Sequence, residues 1–579
     1  VKPVKKWTVK PRPHQEEVKR FAEELNVSEH LSAILLQRGI SELGDAKAFF
    51  RHNMQALHDP FLMKDMDKAV ERLIRAIEQG ENILVYGDYD VDGTTSVSLM
   101  YRFLSSLTDR VSYYIPDRYA EGYGVSFQGI DFARDNEVNV IITLDCGIKA
   151  IDKVAKANEF GIDVIICDHH RPGDHLPAAI AVLDPKRSDC EYPYKELCGC
   201  GVGYKLAKGI SQKLGLPAVE VDQYLDLVAV AIGADIVPIT GENRVLMHFG
   251  MHKVNTNPST GIKALIDVAG VKKSMSVTDL VFKVAPRINA AGRIKSGMDA
   301  VALLTASESE EVMTLAKEVD KHNSDRRELD KNITEEALQM LAADPTQATK
   351  RTTVVYDESW HKGVVGIVAS RLMDDYYRPT IVLTGNDGKV TGSARSVRHF
   401  DVYAAIDSCK DLLTNFGGHK YAAGLTMDAA MLPEFKRRFE AHVSETLDLS
   451  LLSPELRIDA EIPLQSISKK FYSILRQLAP FGPGNMKPLF VSHHCFDFGG
   501  SRVLKEEHLR LRVSQSDALD IPVQGIGFGL GHCYDLVTSG QPFSIVYSIE
   551  ENIWNNRVSL QINVKDIRPT VDVVDSSKI

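Results

Sequence analysis

Three aspartates at alternate positions, Asp88, Asp90 and Asp92, lie in Gly87-Asp88-Tyr89-Asp90-Val91-Asp92-Gly93, directly after the apolar run Ile83–Tyr86. Carboxylates this close repel one another unless cations neutralise them, so the spacing points to metal binding. D-x-D-x-D-G also opens an EF-hand loop, but the twelfth position counted from Asp88 is Leu99 rather than a bidentate glutamate. The arrangement recurs downstream. Val140–Leu144 runs into Asp145-Cys146-Gly147, Ile162–Cys167 into Asp168-His169-His170, and the apolar segment Tyr224–Ala234 into Asp235. One Asp at a strand end is usually a helix cap, and one His usually a structural hydrogen-bonder. Four segments that each deliver Asp or His at their carboxyl ends are a different matter, because a parallel sheet gathers such ends at one edge. Carboxylate and imidazole without cysteine suit Mn²⁺ or Mg²⁺ better than Zn²⁺. There are enough carboxylates for two ions, which can clamp the attacking and leaving oxygens of an in-line displacement at phosphorus.

The elements that must position these residues are legible as an α/β alternation. An amphipathic helix over Met66–Gln79 precedes the strand that ends at Tyr86, and Gly93 opens a helix with Val97, Met100, Leu104 and Leu107 on one face. Strands at Val111–Ile115, Val140–Leu144, Ile162–Cys167 and Ile180–Leu183 imply a mostly parallel sheet covered on both faces. We therefore divide the chain into an N-terminal segment (1–70), a catalytic core (71–305), a polar connecting helix (306–345), a second α/β domain (346–447) and a β-rich domain (448–579). In the second α/β domain, strands at Thr352–Tyr356 and Pro379–Leu383 flank a helix over Val364–Tyr376. In the last region Leu509, Leu511 and Val513 alternate with Arg510 and Arg512, and Val558 to Val564 alternate likewise after Asn555-Asn556. That is the pattern of half-buried antiparallel sheet in a small barrel or sandwich.

Composition sets the outer limits. A chain of 579 residues needs several cores, and 44% hydrophobic with 25% charged residues is the balance of a globular protein. No apolar run approaches a membrane span, and Val1 to Pro13 is basic and polar without the apolar stretch of a signal peptide. Only Cys198 and Cys200 lie close among eight cysteines, which is poor zinc spacing; reduced thiols and a cytoplasmic location are the expectation. The net charge of −10 argues against a surface coated to grip duplex DNA, but leaves a local basic groove open.

Asp88-Tyr89-Asp90-Val91-Asp92-Gly93, Asp145, Asp168-His169-His170 and Asp235 together resemble the four motifs of the DHH phosphoesterase superfamily. The segments 116–124 (PDRYAEGYG) and 285–293 (APRINAAGR) resemble its RecJ single-strand exonuclease branch, as does the order of domains from residue 71 to about 570. The resemblance implies Asp90, Asp92, Asp145, His169 and Asp235 as metal ligands, with Asp145 bridging. Asp88 joins them at a place where many relatives reach in with a histidine from further upstream. It implies a catalytic group of Asp145, Asp168 and His170, the last facing the scissile phosphate as ligand neighbour or proton donor.

Residues 363–367 (GVVGI), 392–396 (GSARS) and 416–419 (FGGH) resemble the DHHA1 domain. Glycine-rich turns beside Arg or His suit phosphate holding, so Ser393, Arg395, Ser396 and His419 are candidate substrate contacts, with Arg118, Arg287, Asn289 and Arg293 on the core side. The C-terminal region resembles the OB-like domain of RecJ proteins, where Phe481, Phe490 and Trp554 are either stacking faces or core. The family implies a 5′-to-3′ exonuclease on single-stranded DNA that works with two Mn²⁺ or Mg²⁺ ions in recombination and repair. Single-strand-binding protein and recombination or helicase proteins are the partners it implies. Two alternatives stay open. One is a superfamily phosphodiesterase on short oligonucleotides, cyclic dinucleotides or pyrophosphate. The other is a non-catalytic replication scaffold, against which stands the Asp or His at every ligand position.

Overall fold

The computed structural model describes residues 3–515, 522–554 and 557–570. The expected turn at Asn555-Asn556 and the side chain of Trp554 lie outside the described residues. The chain divides into two units, His52–Leu452 with Gly482–Gly484, and a second made from Val1–Arg51, Ser453–Phe481 and Asn485–Ile579.

The larger unit begins with a parallel sheet. Its elements in chain order are β1 (Ile83–Gly87), α1 (Val91–Ser105), β2 (Val111–Tyr114), β3 (Val140–Leu144), β4 (Asp163–Cys167) and β5 (Ala181–Leu183). All five strands run parallel in the order β2-β1-β3-β4-β5. Every residue of β1 and β3 is buried, with Ile83, Val85 and Ile142 in one apolar cluster and Leu84, Tyr86 and Ile141 in the other. A strand buried on both faces reads as an unbroken apolar run, which is why these segments show no alternation. The register aligns Gly87, Leu144, Cys167 and Leu183 across the sheet. The next residue of each strand is Asp88, Asp145, Asp168 and Asp184, so four carboxylates leave the sheet at one level. Helices α2 (Gly199–Lys213), α3 (Leu225–Ala234) and α4 (Ala285–Ile294) follow.

The polar segment after the core is one helix, α5 (Ser309–Ala343), 35 residues and about 52 Å long. Val312, Ala316 and Val319 near its start belong to the core cluster, whereas Ile333, Ala337 and Leu341 near its end pack with Val364, Val368 and Leu372 of the second domain. A helix sharing side chains with two cores fixes the separation between them. That second domain holds β6 (Thr353–Tyr356), α6 (Val365–Tyr376), β7 (Thr380–Asn386), β8 (Lys389–Arg395), β9 (Asn415–His419), β10 (Ala422–Asp428) and α7 (Leu432–Thr446). Its sheet has the order β9-β10-β8-β7-β6, parallel only between β6 and β7.

The second unit is a seven-stranded mixed sheet formed by the C-terminal region. Its core includes Phe471, Phe490, Leu509, Leu511, Val513, Tyr547, Ile562 and Val564, together with Phe21, Leu31, Ile34 and Leu35 from the N-terminal helices. The strand Lys6–Val9 pairs in parallel with Glu455–Ile458. Phe490 is therefore core, and Phe481 packs against the same cluster. Among the described residues no helix is long and apolar enough to cross a membrane.

Candidate metal centre and anion pocket

The strand ends bring the acidic residues together. His169 Nε2 lies 3.0 Å from an oxygen of Asp145, 3.5 Å from one of Asp235 and 3.8 Å from one of Asp92. Two overlapping sets converge within metal-binding distance of one another: Asp145 with His169 and His170, and Asp92 with His169 and Asp235. Asp90 caps α1 by accepting from Gly93 N at 3.0 Å, and Asp88 Oδ1 accepts from Gly124 N at 3.2 Å. Asp92 is held by the amino end of α2, whose Gly199 and Cys200 amides donate to its two oxygens at 2.6 and 2.7 Å. Only glycine fits at 199, since a Cβ there would lie 2.6 Å from the Asp145 Cβ. Asp145 itself adopts φ +60°, a left-handed conformation that Asp tolerates better than most residues.

The electrostatics demand a counter-charge. Burial first, and then mutual repulsion, raises Asp88, Asp92, Asp145 and Asp235 above the ordinary carboxylate range. Burial and the neighbouring His170 push His169 down to about 3, leaving it a neutral imidazole fit to ligate. Asp88 Oδ2, Asp145 Oδ1 and His169 Nε2 are buried without a hydrogen bond. Each such atom costs roughly 1–3 kcal/mol unless something satisfies it. A divalent cation would answer the Asp145 and His169 atoms, which lie in the converging sets that Asp88 and Asp90 do not join, and the donor set of carboxylates with imidazole is that of Mn²⁺ or Mg²⁺.

Asp168 has a separate task. It accepts from the Ile148, His169 and His170 amides at 2.9, 2.7 and 3.1 Å, and from His170 Nδ1 at 2.7 Å. Burial alone would raise it, but the His170 bond and charge and these amides hold it at about 2. Burial would likewise lower His170, yet Asp168, with Asp235 and Asp92 beyond it, raises it to about 9. With Nδ1 engaged by Asp168, the proton on Nε2 is the one available.

A cluster of opposite sign stands beside this centre. Arg118 lies 4.4 Å over the Tyr89 ring, between Asp88 and Asp90 in sequence. Arg293 is pushed down to about 10 by burial and by Arg118, Arg395 and Arg326, and burial with Arg118 also lowers Arg395. Among the described residues none of Arg118, Arg293 and Arg395 pairs with a carboxylate. Arg395 donates to Ser393 Oγ at 2.6 Å and to the Ala394 carbonyl at 2.8 Å, and Gly366 near the start of α6 lets that helix close on both side chains. Desolvated guanidinium groups that repel one another call for an anion. Asn289 lies one turn before Arg293, and the two line a cavity of about 250 Å³ with Ala234, Arg326 and Ile367.

Not every candidate joins these clusters. Arg287 donates to Asp320 at 2.8 Å and to the Lys283 carbonyl, tying α4 to α5. Ser396 is buried and donates to the Phe400 carbonyl at 3.0 Å. His419 is exposed on β9, in register with Ala422 and, through it, Arg395. Two residues near the centre escaped the sequence reading. Tyr123 places its hydroxyl 3.3 Å from His170 Nε2 and 3.3 Å from the Asp145 carbonyl. Asp184, raised to about 7 chiefly by burial, continues the row of strand-end carboxylates. The strand Ile180–Leu183 was legible in the sequence, so the strand-end position was the available signal for Asp184.

The sequence matches the DHH family N-terminal domain over residues 82–232, the DHHA1 domain over 349–445 and the RecJ OB domain over 458–566. It is 36% identical over 566 residues to the single-stranded-DNA-specific exonuclease RecJ of Bacillus subtilis, covering 97% of this chain and 70% of that protein. The crystal structure of RecJ in complex with Mn²⁺ from Thermus thermophilus superposes with a TM-score of 0.84 at 28% identity, covering 98% of this chain and 80% of the other. The corresponding Mg²⁺ complex gives 0.78 at 27% identity, covering 98% and 79%.

Proposed function

Because the chain belongs to the RecJ family of single-stranded-DNA-specific exonucleases, we propose that it hydrolyses the phosphodiester next to a free 5′ end of single-stranded DNA and releases 5′-mononucleotides. One observation carries the reading: a buried acid and histidine cluster adjoins a desolvated arginine cluster drawn from both α/β domains. The first suits a reacting phosphodiester and the second an anionic strand end.

Asp88, Asp90, Asp92, Asp145, His169 and Asp235 are the residues that would hold the ions in this reading. Mn²⁺ or Mg²⁺ bound there supplies activation of water and balance for charge developing on the phosphate. Arg118, Arg293 and Arg395, with Ser393 and Asn289, hold the terminal phosphate and set the register of the strand. His170 Nε2 donates its proton to the 3′ oxygen as the phosphorus–oxygen bond breaks, and Asp168 keeps that imidazole charged and aimed. The shortened strand keeps the phosphate and presents a new 5′ phosphate to the same arginines. On the C-terminal unit, Phe498 with Arg512 at 5.5 Å, and the exposed Phe528, offer stacking faces suited to single-stranded DNA. The protein works in the cytoplasm in recombination and repair, receiving strands from single-strand-binding protein and helicases.

Two expectations arise here. Arg395→Ala is expected to lower kcat/KM on 5′-phosphorylated strands roughly ten- to a hundred-fold, the worth of a charged hydrogen bond. On 5′-hydroxyl strands it should cost less; equal losses on both would remove Arg395 from the terminal-phosphate site. The second concerns stability. A carboxyl with a raised folded-state pKa binds its proton more tightly folded than unfolded. Stability in chelator therefore falls as pH rises from about 4 through the raised values of Asp88, Asp92, Asp145 and Asp235. Mn²⁺ should reverse that fall, adding about 2.7 kcal/mol at a hundredfold excess over its Kd. Melting curves at pH 6 and pH 8.5 check it; a Mn²⁺ effect no larger at the higher pH contradicts it.

The function itself is tested with Mn²⁺ and a long single strand labelled at the 5′ or the 3′ end. Immediate release of the 5′ label as mononucleotide, with gradual shortening of the 3′-labelled strand, is expected. Survival of long strands while two- to five-residue oligomers are cleaved would replace the substrate and keep the chemistry.

A further inference from the structure

The metal centre and arginine pocket explain hydrolysis but not why an end is needed, since an internal phosphodiester carries the same reactive group. The wall behind the arginines supplies a reason. Tyr119, on the loop after β2, donates its hydroxyl to the Arg293 carbonyl, and Arg293 Nη1 donates to the Gly363 carbonyl at 3.0 Å. A Cβ at Gly363 would lie 2.4 Å from the Tyr119 hydroxyl and 2.6 Å from the Arg293 oxygen, so the three segments meet without a gap. The His361 ring stands edge-on to Tyr119 at 6.4 Å, and the Lys362 ammonium lies 5.8 Å from the Tyr119 ring.

Tyr119 follows Arg118 in sequence and its hydroxyl meets the Arg293 backbone, so it adjoins the cluster of Arg118, Arg293 and Arg395. It also lines a second cavity of about 770 Å³, with Ile333, Trp360, His361, Lys362 and Thr391 among others. Ligand pockets span roughly 300–1,000 Å³, so a nucleotide would fit there. Room is not what confines the strand; the contact of Tyr119 with Gly363 and Arg293 is.

We propose that Tyr119, closed against Gly363 and the Arg293 backbone, is the partition that makes cleavage depend on a strand end: it separates the arginine pocket from the cavity behind and stops a continuous strand from threading past. The proposal rests on the nuclease reading above and adds a specificity determinant to it. Without the partition the two spaces join, and a strand can lie through both with an internal phosphodiester at the metal centre.

Circular single-stranded DNA, which has no end, tests this directly against a linear strand of the same sequence in Mn²⁺. The wild-type protein should digest the linear strand and leave circles intact. Tyr119→Ala should nick circles, raising the circular-to-linear rate ratio about tenfold or more. Tyr119→Phe, which keeps the ring, should stay near the wild-type ratio. A Tyr119→Ala protein that digests linear strands and leaves circles at the wild-type level overturns the proposal. Should its melting curve show that it is unfolded, Tyr119→Leu is read by the same ratio with the same two outcomes. Wild-type protein that leaves linear strands untouched defeats the nuclease reading. Wild-type protein that cuts circles as fast as linear strands defeats only the partition.

Discussion

Asp145→Asn is expected to cost more Mn²⁺-dependent hydrolysis than the roughly 10²–10³-fold that loss of one transition-state hydrogen bond costs, while making the metal-free protein more stable. Both effects have one cause. Asp145 sits where His169, Asp92 and Asp235 converge, and its carboxyl is raised first by burial and then by Asp92, Asp90 and Asp235. Removing its charge deprives the centre of a negative donor and relieves the repulsion. Asn is the right replacement because Asp145 has φ +60°, which Asn accepts and Ala does not without strain. Single-turnover digestion of a labelled strand and melting curves in chelator and in Mn²⁺ measure the two effects. Activity within tenfold of wild type would remove Asp145 from the centre. A lower melting temperature in chelator would show that its structural contacts outweigh the repulsion.

His170→Ala is expected to slow cleavage of DNA by about 10²–10⁴-fold, the range for loss of a positioned proton donor. The loss should shrink toward unity on a 4-nitrophenyl phosphodiester, whose leaving group departs without a proton. A ligand role predicts equal losses on both substrates, so the comparison separates the two. Asp168→Asn probes the same proton from behind. Asp168 holds His170 charged up to about pH 9, and a general acid works only while protonated. Loss of the carboxylate lowers the His170 pKa, so the alkaline limb of the rate profile should move to lower pH. The variant should then be more impaired at pH 8.5 than at pH 6. A profile parallel to wild type at both values would deny Asp168 this role.

What the sequence made legible was local. The strands ending at Gly87, Leu144 and Cys167 were readable because full burial makes them continuous apolar runs, and their terminal Asp and His follow within a few residues. What it hid was the non-local pairing of groups. The Gly199 and Cys200 amides that grip Asp92 come from more than a hundred positions downstream, and a backbone donor leaves no mark in side-chain identity. Arg287 and Arg293 look alike in sequence, yet Arg287 pairs with Asp320 on α5 whereas Arg293 donates to the Gly363 carbonyl and sits among other arginines. Ser393 lies within β8 and receives a guanidinium, whereas Ser396, just past the end of that strand, is buried and bonds its own loop. The first fifty residues carry no chemical motif, so their place in the C-terminal core was invisible until tertiary contacts were known.

That last arrangement bears on how the polypeptide is made. Lys6–Val9 pairs with Glu455–Ile458, and Trp7 donates to Asp566. On a ribosome adding about 5–20 residues per second, the earliest strand waits roughly 20–90 seconds for its neighbour to emerge. Phe21, Leu31 and Ile34, apolar groups of the same core, wait with it. These apolar groups therefore lack their partners throughout synthesis of the nuclease unit, an interval in which exposed apolar surface invites aggregation or chaperone binding.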